Sequence, residues 1–524
     1  MAQVIKDGQT LEAESRWADV LNHYEAALRT YRNDTDLMDR YRVARFHYDV
    51  GRRFHDSSYL NLVHSSGIVE SLNFFEEIVS HVHEEYVDLP NWDKLFRYGF
   101  QDMDIALSDP NFRAKSNLLV PADQIQSCLT EMRRTADGWE IRNREDLKNG
   151  MIYLAEMAQK QIGLNPAIIL MEFTCGIVNS LDPYTTYLTP NQLKDQYSLI
   201  SGNLVGLGVE LRSDRNSLLI VRVIQGSPAE EGGLKEGDRI LTVDGISTKG
   251  RDTDSAADLL QGTEGSTVKL LIQPQGLAQR QREVLITRRQ IEVPSVEDVK
   301  MLNDCLGYVK LTGFQSKTCM ELERALLQLS EREMKCLVLD MRRNPGGLLN
   351  IGVDVANLFV EQGAIVRTQG RDHSLDSPIM AKPRNIWRMP LIVLIDEDSA
   401  SASEIVAGAL RDHNRALIIG KRSYGKGTIQ QITSIRSGQS GSVRSGIKLT
   451  IEKFYSPQGW PYSGVGVTPH IVVQDDDKQR TTLARPVDGQ VPFMKTPRIV
   501  SSSLDDPFIK EAVKSAQGMV NTER

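Results

Sequence analysis

Long hydrophobic runs are missing from this 524-residue chain, and no stretch approaches the length of a membrane-spanning helix. The start, Met1-Ala-Gln-Val-Ile-Lys-Asp-Gly8, lacks an apolar signal core. As written, the sequence is expected to be soluble and without a readable export signal; a chain trimmed of its leader, or read from a late start, would look the same. Cysteine is sparse. Cys128, Cys175, Cys305, Cys319 and Cys336 are scattered and odd in number, with no CxxC and no Cys/His cluster, which argues against a zinc site and against a disulfide framework. Excess positive charge is also lacking: 62 Lys and Arg against 69 Asp and Glu give a net charge of −7, no reason to expect nucleic acid or an anionic membrane as partner. What is present is ordinary for folded protein, with 25% charged and 40% hydrophobic residues. The length suggests three or four domains.

Texture changes along the chain. Residues 8–65 read as helices, with Trp17, Leu21, Tyr24, Leu28 and Tyr31 at helical spacing. Trp17 to Leu28 weakly resembles the second helix of a tetratricopeptide repeat, but an array needs several copies; an amphipathic helix with an aromatic stripe is the simpler reading of 1–66. A helical domain is expected over 67–195, interrupted by an insertion at about 88–145 that carries polar patches and Asn/Pro turn signals. From about 196 to 292, short β-branched runs such as Leu218 to Ile224, Arg239 to Val243 and Val268 to Ile272 alternate with Gly/Asp/Ser turns, a small mostly-β module. Over 293–475 apolar strands (306–311, 336–340, 390–395, 416–420) alternate with helical stretches (320–331, 349–361, 404–411), which argues for an α/β core with a largely parallel sheet. Residues 476–524 are polar and irregular apart from an amphipathic segment around Phe508 to Val520, so a disordered or loosely docked tail is expected.

In the β module, Val205-Gly-Leu-Gly-Val209 precedes Gly226-Ser-Pro-Ala-Glu-Glu-Gly-Gly-Leu-Lys-Glu-Gly-Asp-Arg-Ile-Leu-Thr-Val-Asp-Gly245. Glycines let successive backbone N–H groups turn inward onto a terminal carboxylate, and an adjoining strand can pair with an extended peptide. A lone GxG would only mark a turn. Together the two runs resemble a PDZ domain, and the resemblance places Leu207, Gly208 and Val209 at the peptide terminus.

In the α/β region, Asp398-Ser-Ala-Ser-Ala-Ser-Glu404 follows an apolar strand and opens a helical run. The next strand, Ala416 to Gly420, leads to Tyr424-Gly-Lys-Gly-Thr428. A serine on a strand-to-helix turn, with a lysine returned toward it, suits a nucleophile and its base. Gly346-Gly347, before another helical run, can aim backbone N–H groups and the helix dipole at an oxyanion, at phosphate, or into a plain turn; the GxxxxGK[ST] spacing of a phosphate loop is absent. His413 stands twelve residues along a helix from Ser401, roughly 18 Å away, too far to serve as its base. His373 lies in a polar loop. Neither the Gly-x-Ser-x-Gly elbow nor the Gly-Asn-Ser-Gly-Gly of trypsin-like PDZ proteases occurs.

Asp340-x-Arg342-x-Asn344-x-Gly346-Gly347, Ser399-Ala-Ser-Ala-Ser-Glu-Ile405 and Gly425-Lys-Gly-Thr-Ile-Gln430 resemble, in order, the signature blocks of the C-terminal processing (tail-specific) serine proteases. Ser180-Leu-Asp-Pro-Tyr-Thr-Thr-Tyr-Leu188 and Lys448-Leu-Thr-Ile-Glu-Lys-Phe-Tyr-Ser-Pro-Gln-Gly459 match as well. The family usually has Pro-Asp-Ile where this chain has Pro469-His-Ile471. The resemblance implies a crotonase/ClpP-like α/β protease core beside the mostly-β PDZ domain and an α-helical N-terminal region. It implies Ser401 as nucleophile and Lys426 as base, with Gln430 orienting the lysine and the N–H groups of Gly347 and Ala402 forming the oxyanion hole. The lysine must be uncharged to take a proton, so the site is expected to bury it. Asp340, Arg342 and Glu404 are expected to brace, and Ser399 and Ser403 to serve as turn or cap residues. No metal or organic cofactor is implied. Substrates are expected to be proteins with apolar C-terminal tails, and the N-terminal helices to brace the core, form a homo-oligomer or dock an adaptor. The family's usual home, periplasmic or otherwise exported, is the implied compartment. A non-catalytic PDZ scaffold on a degenerate protease fold is the alternative, and an acyl-CoA enzyme on the same fold a weaker one.

Overall fold

The computed structural model describes residues 1–32, 34–214, 217–249, 259–260, 262–276, 280–373, 376–437, 443–474 and 504–522. The central element is a six-stranded sheet built from β10 (Val296–Met301), β11 (Leu306–Leu311), β12 (Cys336–Asp340), β15 (Leu391–Ile395), β16 (Leu417–Gly420) and β19 (Ile471–Val472), in that spatial order. The pairs from β11 to β19 are parallel and β10 joins antiparallel at the edge. All five residues of β12 and of β15 are buried, as continuous apolar runs require when both faces of a parallel sheet are covered. Leu337, Leu339, Val393 and Ile395 face the helices Thr318–Ser330, Leu349–Asn357 and Ala402–Asp412. Cys336, Val338, Ile392 and Leu394 face the other way, onto Phe508, Ile509, Ala512 and Ala516.

That second cover corrects one expectation. The amphipathic segment near the chain's end is a helix, Pro507–Thr522, and it docks firmly, with Phe508, Ile509, Ala512 and Ala516 all buried. Without it one whole face of the sheet would meet water. The remainder of the expected tail, 476–503, and residues 523–524 lie outside the described residues.

Among the described residues of 1–201 the regular elements are helices and one short strand, β1 (Thr186–Leu188). The segment 88–145, read as polar and turn-rich, forms the helices Trp92–Ser108, Pro110–Lys115 and Ala122–Asp137. Two of these helices have side-chain N-caps: Asn91 accepts from Lys94 N and Asp109 from Phe112 N. The apolar faces of these helices join the core of the surrounding helices rather than forming a separate unit. That core extends into a second sheet, where Ile435, Ile447 and Leu449 of β17 (Thr428–Ser437) and β18 (Val443–Tyr455) are part of it. The sheet runs β1-β18-β13-β14, with β17 pairing β18, where β13 is Ala364–Gln369 and β14 is Ser377–Met380.

Between the helices and the α/β core lies a β unit with its own interior. Its sheet runs β3 (Val209–Asp214), β4 (Ser217–Val223), β5 (Arg239–Val243), β7 (Thr267–Gln273), β8 (Arg282–Thr287), with β6 (Ile246–Ser247) paired to β5. A two-stranded ribbon, β2 (Asn203–Gly206) with β9 (Arg289–Glu292), ties it to the neighbouring parts. Among the described residues, no helix is long and apolar enough to cross a membrane.

Candidate active site

The loops at the C-terminal ends of β12, β15 and β16 converge, the usual place for chemistry in an α/β sheet. β12 ends in Asp340, which receives Arg342 Nη2 at 2.7 Å, Tyr308 Oη at 2.7 Å and Lys310 Nζ at 3.4 Å. Burial alone would raise this carboxyl; Lys310 and Arg342 instead hold it below the usual carboxylate range. Arg342 reaches on to Asp506, at 3.0 and 3.1 Å, and so fastens the docked C-terminal helix to the loop. Asn344 then ties the loops together. Its side chain donates to Leu311 O and accepts from Gly346 N, and its carbonyl accepts from Ala400 N at 3.0 Å and Ser403 Oγ at 2.9 Å.

These bonds separate the three clustered serines. Ser399 is fully buried, donating to Met341 O at 2.8 Å and accepting from Asp396 N at 2.9 Å. Ser403 is fully buried and spends its hydroxyl on Asn344 O. Ser401 is half-buried and its hydroxyl makes no cap bond. It sits at φ 57°, ψ −116°, a strained conformation for a residue with a side chain. That is the backbone of a nucleophile elbow without the glycine-flanked motif. A glycine is needed opposite: a Cβ on Gly346 would stand 2.7 Å from Ser401 Cβ and 2.9 Å from Ala402 N. Ala402 is the first residue of the helix Ala402–Asp412, so its N–H has no intrahelical acceptor and adds to the positive end of the dipole. Gly347 pairs with Phe314 in an isolated parallel bridge next to it.

One carboxylate fixes the serine and the lysine in the same frame. Glu404 is fully buried. Its Oε2 accepts from Ser401 N and from Lys426 N, each at 2.9 Å, and its Oε1 accepts from Gly425 N at 2.7 Å and Ser423 Oγ at 2.5 Å. Burial pushes this carboxyl up, to about 7, against the four donors that favour the anion. Lys426 is buried, and its Nζ lies 4.9 Å from the centre of the Tyr184 ring.

Gln430, expected to orient the lysine, lies on β17. Its amide nitrogen donates to Thr428 Oγ1 at 2.8 Å and Thr450 Oγ1 at 3.2 Å, so only its carbonyl oxygen could accept from the lysine. Tyr184 was not singled out from the sequence. It lies within the Ser180 to Leu188 run, 242 positions from Lys426, and pattern alone gave no signal for the ring–amine contact. His413 ends the helix that Ser401 begins and bonds Ala364 O, while His373 pairs with Asp376 on the surface. The variant His470 fits its place: its Nδ1 accepts from Ile418 N at 3.0 Å and its own N–H donates to Ile418 O, closing the edge of β16. Burial, then Arg411, lower its proton affinity, which suits a neutral acceptor.

In the β unit Leu207 is buried and Gly208 has φ 81°. Both carbonyls are tied inward, Leu207 O by Ala229 N and Gly208 O by Ile224 N. Val209 begins β3, the terminal strand of its sheet, where an extended peptide can add.

The family model described as peptidase family S41 matches residues 305–473, and that described as PDZ domain matches 219–274. The chain is 37% identical over 304 residues to a carboxy-terminal-processing protease of Bartonella bacilliformis, spanning 57% of this chain and 68% of that one. It is 34% identical over 314 residues to a carboxyl-terminal-processing protease of Synechocystis sp., spanning 59% and 72%. Among solved structures, a photosystem II D1 C-terminal processing protease aligns at 27% identity with a TM-score of 0.41, covering 77% of this chain and 93% of that one.

Proposed function

The chain belongs to peptidase family S41, the carboxy-terminal-processing proteases, and is a serine-type peptidase with a PDZ domain; from that premise we propose that Ser401 and Lys426 form its catalytic dyad and that the PDZ domain delivers the apolar C-terminal tail of a protein substrate to them. The observation that carries this reading is the division of labour among the serines. Ser399 and Ser403 are buried and bonded to main-chain carbonyls, whereas Ser401 stands on a strained turn whose backbone shares the Glu404 carboxylate with Lys426.

In the proposed cycle Lys426 Nζ, carried from the face of Tyr184, takes the proton of Ser401 Oγ as that oxygen bonds to the scissile carbonyl carbon. The carbonyl π electrons move to oxygen, and the N–H groups of Ala402 and Gly347 stabilise the resulting oxyanion. The C–N bond breaks as Lys426 returns its proton to the leaving amine. Water then attacks the acyl ester, giving a proton to Lys426; the C–Oγ bond breaks as Lys426 passes that proton to Ser401 Oγ, which frees the new carboxyl terminus and restores the neutral amine. Glu404, Asn344 and Asp340 position main chain and touch no substrate. At the PDZ domain, the inward-turned loop at Leu207 and Gly208 takes the substrate's terminal carboxylate and β3 pairs with the tail. Tethering raises the local concentration of cleavable chain, so recognition and cleavage can be separate sites. The compartment we propose, periplasmic or otherwise exported, rests on the family alone and is open to fractionation.

The test is incubation with an unstructured protein ending in apolar residues. Wild type cleaves it. Ser401→Ala and Lys426→Ala do not, yet both still bind the tail. Undiminished cleavage by Ser401→Ala rejects the assignment, and wild type that binds without cleaving favours the scaffold reading.

A further inference from the structure

Residues 1–66 lie outside both matched family regions, yet they reach the loops that carry Ser401 and Lys426. Glu25, within the helix Trp17–Leu28, and Arg29, its C-cap residue, stand four apart and pair at 3.1 Å, on one face of the helix. Tyr424 Oη donates to Glu25 Oε1 at 3.2 Å, and the Arg29 guanidinium stacks over the Tyr424 ring at 4.7 Å. Tyr424 is two residues before Lys426, and its own N–H donates to Ser399 O at 3.0 Å. Arg29 Nη1 also lies 4.0 Å from Asp398 Oδ1, three residues before Ser401. Beyond the helix, a Cβ on Gly464 would meet Arg32 Nη1 at 3.3 Å, and Gly464 N donates to Gly425 O.

The same helical unit holds the other wall of the lysine. Val20, Leu21 and Tyr24 pack with Leu37, Tyr41 and Ala44 of the helix Thr35–Arg53. From that second helix Arg45 donates to Asp182 O and Thr185 O, each at 2.7 Å. Those two carbonyls bracket Tyr184, the ring beside Lys426 Nζ. The N-terminal hairpin thus grips the turn that bears Tyr184 and the loop that bears Tyr424.

We propose that Glu25 and Arg29 are positioning residues for the protease: through Tyr424 and Asp398 they set the loops from which Ser401 and Lys426 act, so that the N-terminal helices complete the active site rather than merely decorating it. The inference rests on the dyad assignment above. Partly exposed ion pairs contribute little to stability, so the contacts matter for placement more than for folding, and a small misplacement at a catalytic centre is costly.

The test compares full-length variants on the tailed substrate. Arg29→Ala lowers kcat about 10-fold with KM within about 2-fold and an unchanged melting midpoint, and Arg29→Lys, which keeps a cation over the ring and toward Asp398, recovers most of the loss. Wild-type kcat in Arg29→Ala, or a loss that follows the unfolded fraction, overturns the proposal. Should Arg29→Ala not fold, Tyr424→Phe removes only the hydroxyl bond to Glu25 and is expected to lower kcat about 3-fold; wild-type kcat there overturns it equally. Ser401→Ala in the same assay separates the two ideas. If it is inactive while Arg29→Ala is fully active, the brace alone fails; if it is active, the dyad assignment fails.

Discussion

At Ser401 and Ser403 the same side chain is expected to do opposite work. Ser403→Ala removes a buried bond to Asn344 O and is expected to cost about 1–3 kcal/mol of stability while cleavage persists. Ser401→Ala is expected to keep the melting midpoint and lose cleavage. Thermal melts and cleavage rates on both variants check the crossing; a stable, inactive Ser403→Ala would contradict it. Glu404 gives a pH prediction with two signs. Its carboxyl is pushed from 4.5 to about 7 in the fold, so folding takes up a proton there. Its contribution to stability is full below about 4.5 and is lost as pH rises through about 7, a change on the order of 3 kcal/mol. Activity should run the other way, because a proton on Glu404 displaces one of the four donors that fix Ser401 and Lys426. The expected kcat profile falls as pH drops through about 7, and the melting midpoint does not fall with it. A flat kcat from pH 5 to 8 would remove Glu404 from the account. At this scale the sequence displayed the serine run, the lysine and the Gly346-Gly347 pair as motifs. It could not display which hydroxyls were already spent, nor that the Gln430 amide goes to Thr428 and Thr450, because those partners are set by tertiary placement.

Among elements, the C-terminal helix is the one whose role depends most on what it covers. The apolar run of β12 ahead of Asp340 and the wholly apolar β15 demanded cover on both faces, and the helices near them in sequence supply only one. The amphipathic pattern of Phe508 to Val520 was visible, but its partner strands β12, β15 and β16 begin about 90 to 170 positions earlier, so the pattern alone suggested a loose tail. Ile509 is fully buried against them. Ile509→Ala is expected to lower the melting midpoint of the protease core by roughly 5 °C or more, read by calorimetry; an unchanged midpoint would mean that this helix is not docked in solution. The strands and helices of the core itself were legible because their apolar runs and turn residues agree locally. The helices of 88–145 were not, because an Asn such as Asn91, which caps the first of them, reads equally well as a turn residue.

For the molecule as a whole, the site proposed to recognise a tail is separate from the site proposed to cut. Gly208→Ala places a Cβ 2.2 Å from Ser227 Cβ at a residue with φ 81° and should deform the carboxylate loop. We expect wild type to prefer a substrate with a free C-terminal carboxylate over its amidated twin, and Gly208→Ala to raise KM for the free form about 10-fold and to lose the preference. Retained discrimination would move recognition elsewhere. The order of the signature blocks was readable over most of the chain. The N-terminal hairpin's grip on the catalytic loops was not, since Glu25 and Tyr424 meet across 399 positions and neither belongs to a pattern that predicts the other. The central claim is that one hydroxyl of the three is the nucleophile. Its most direct test is mass-spectrometric mapping of the adduct left by a fluorophosphonate on the full-length protein. The account predicts a single modified serine, Ser401, with labelling abolished in Ser401→Ala and slowed in Lys426→Ala. An adduct on Ser399 or Ser403, or undiminished labelling of Ser401→Ala, would contradict it.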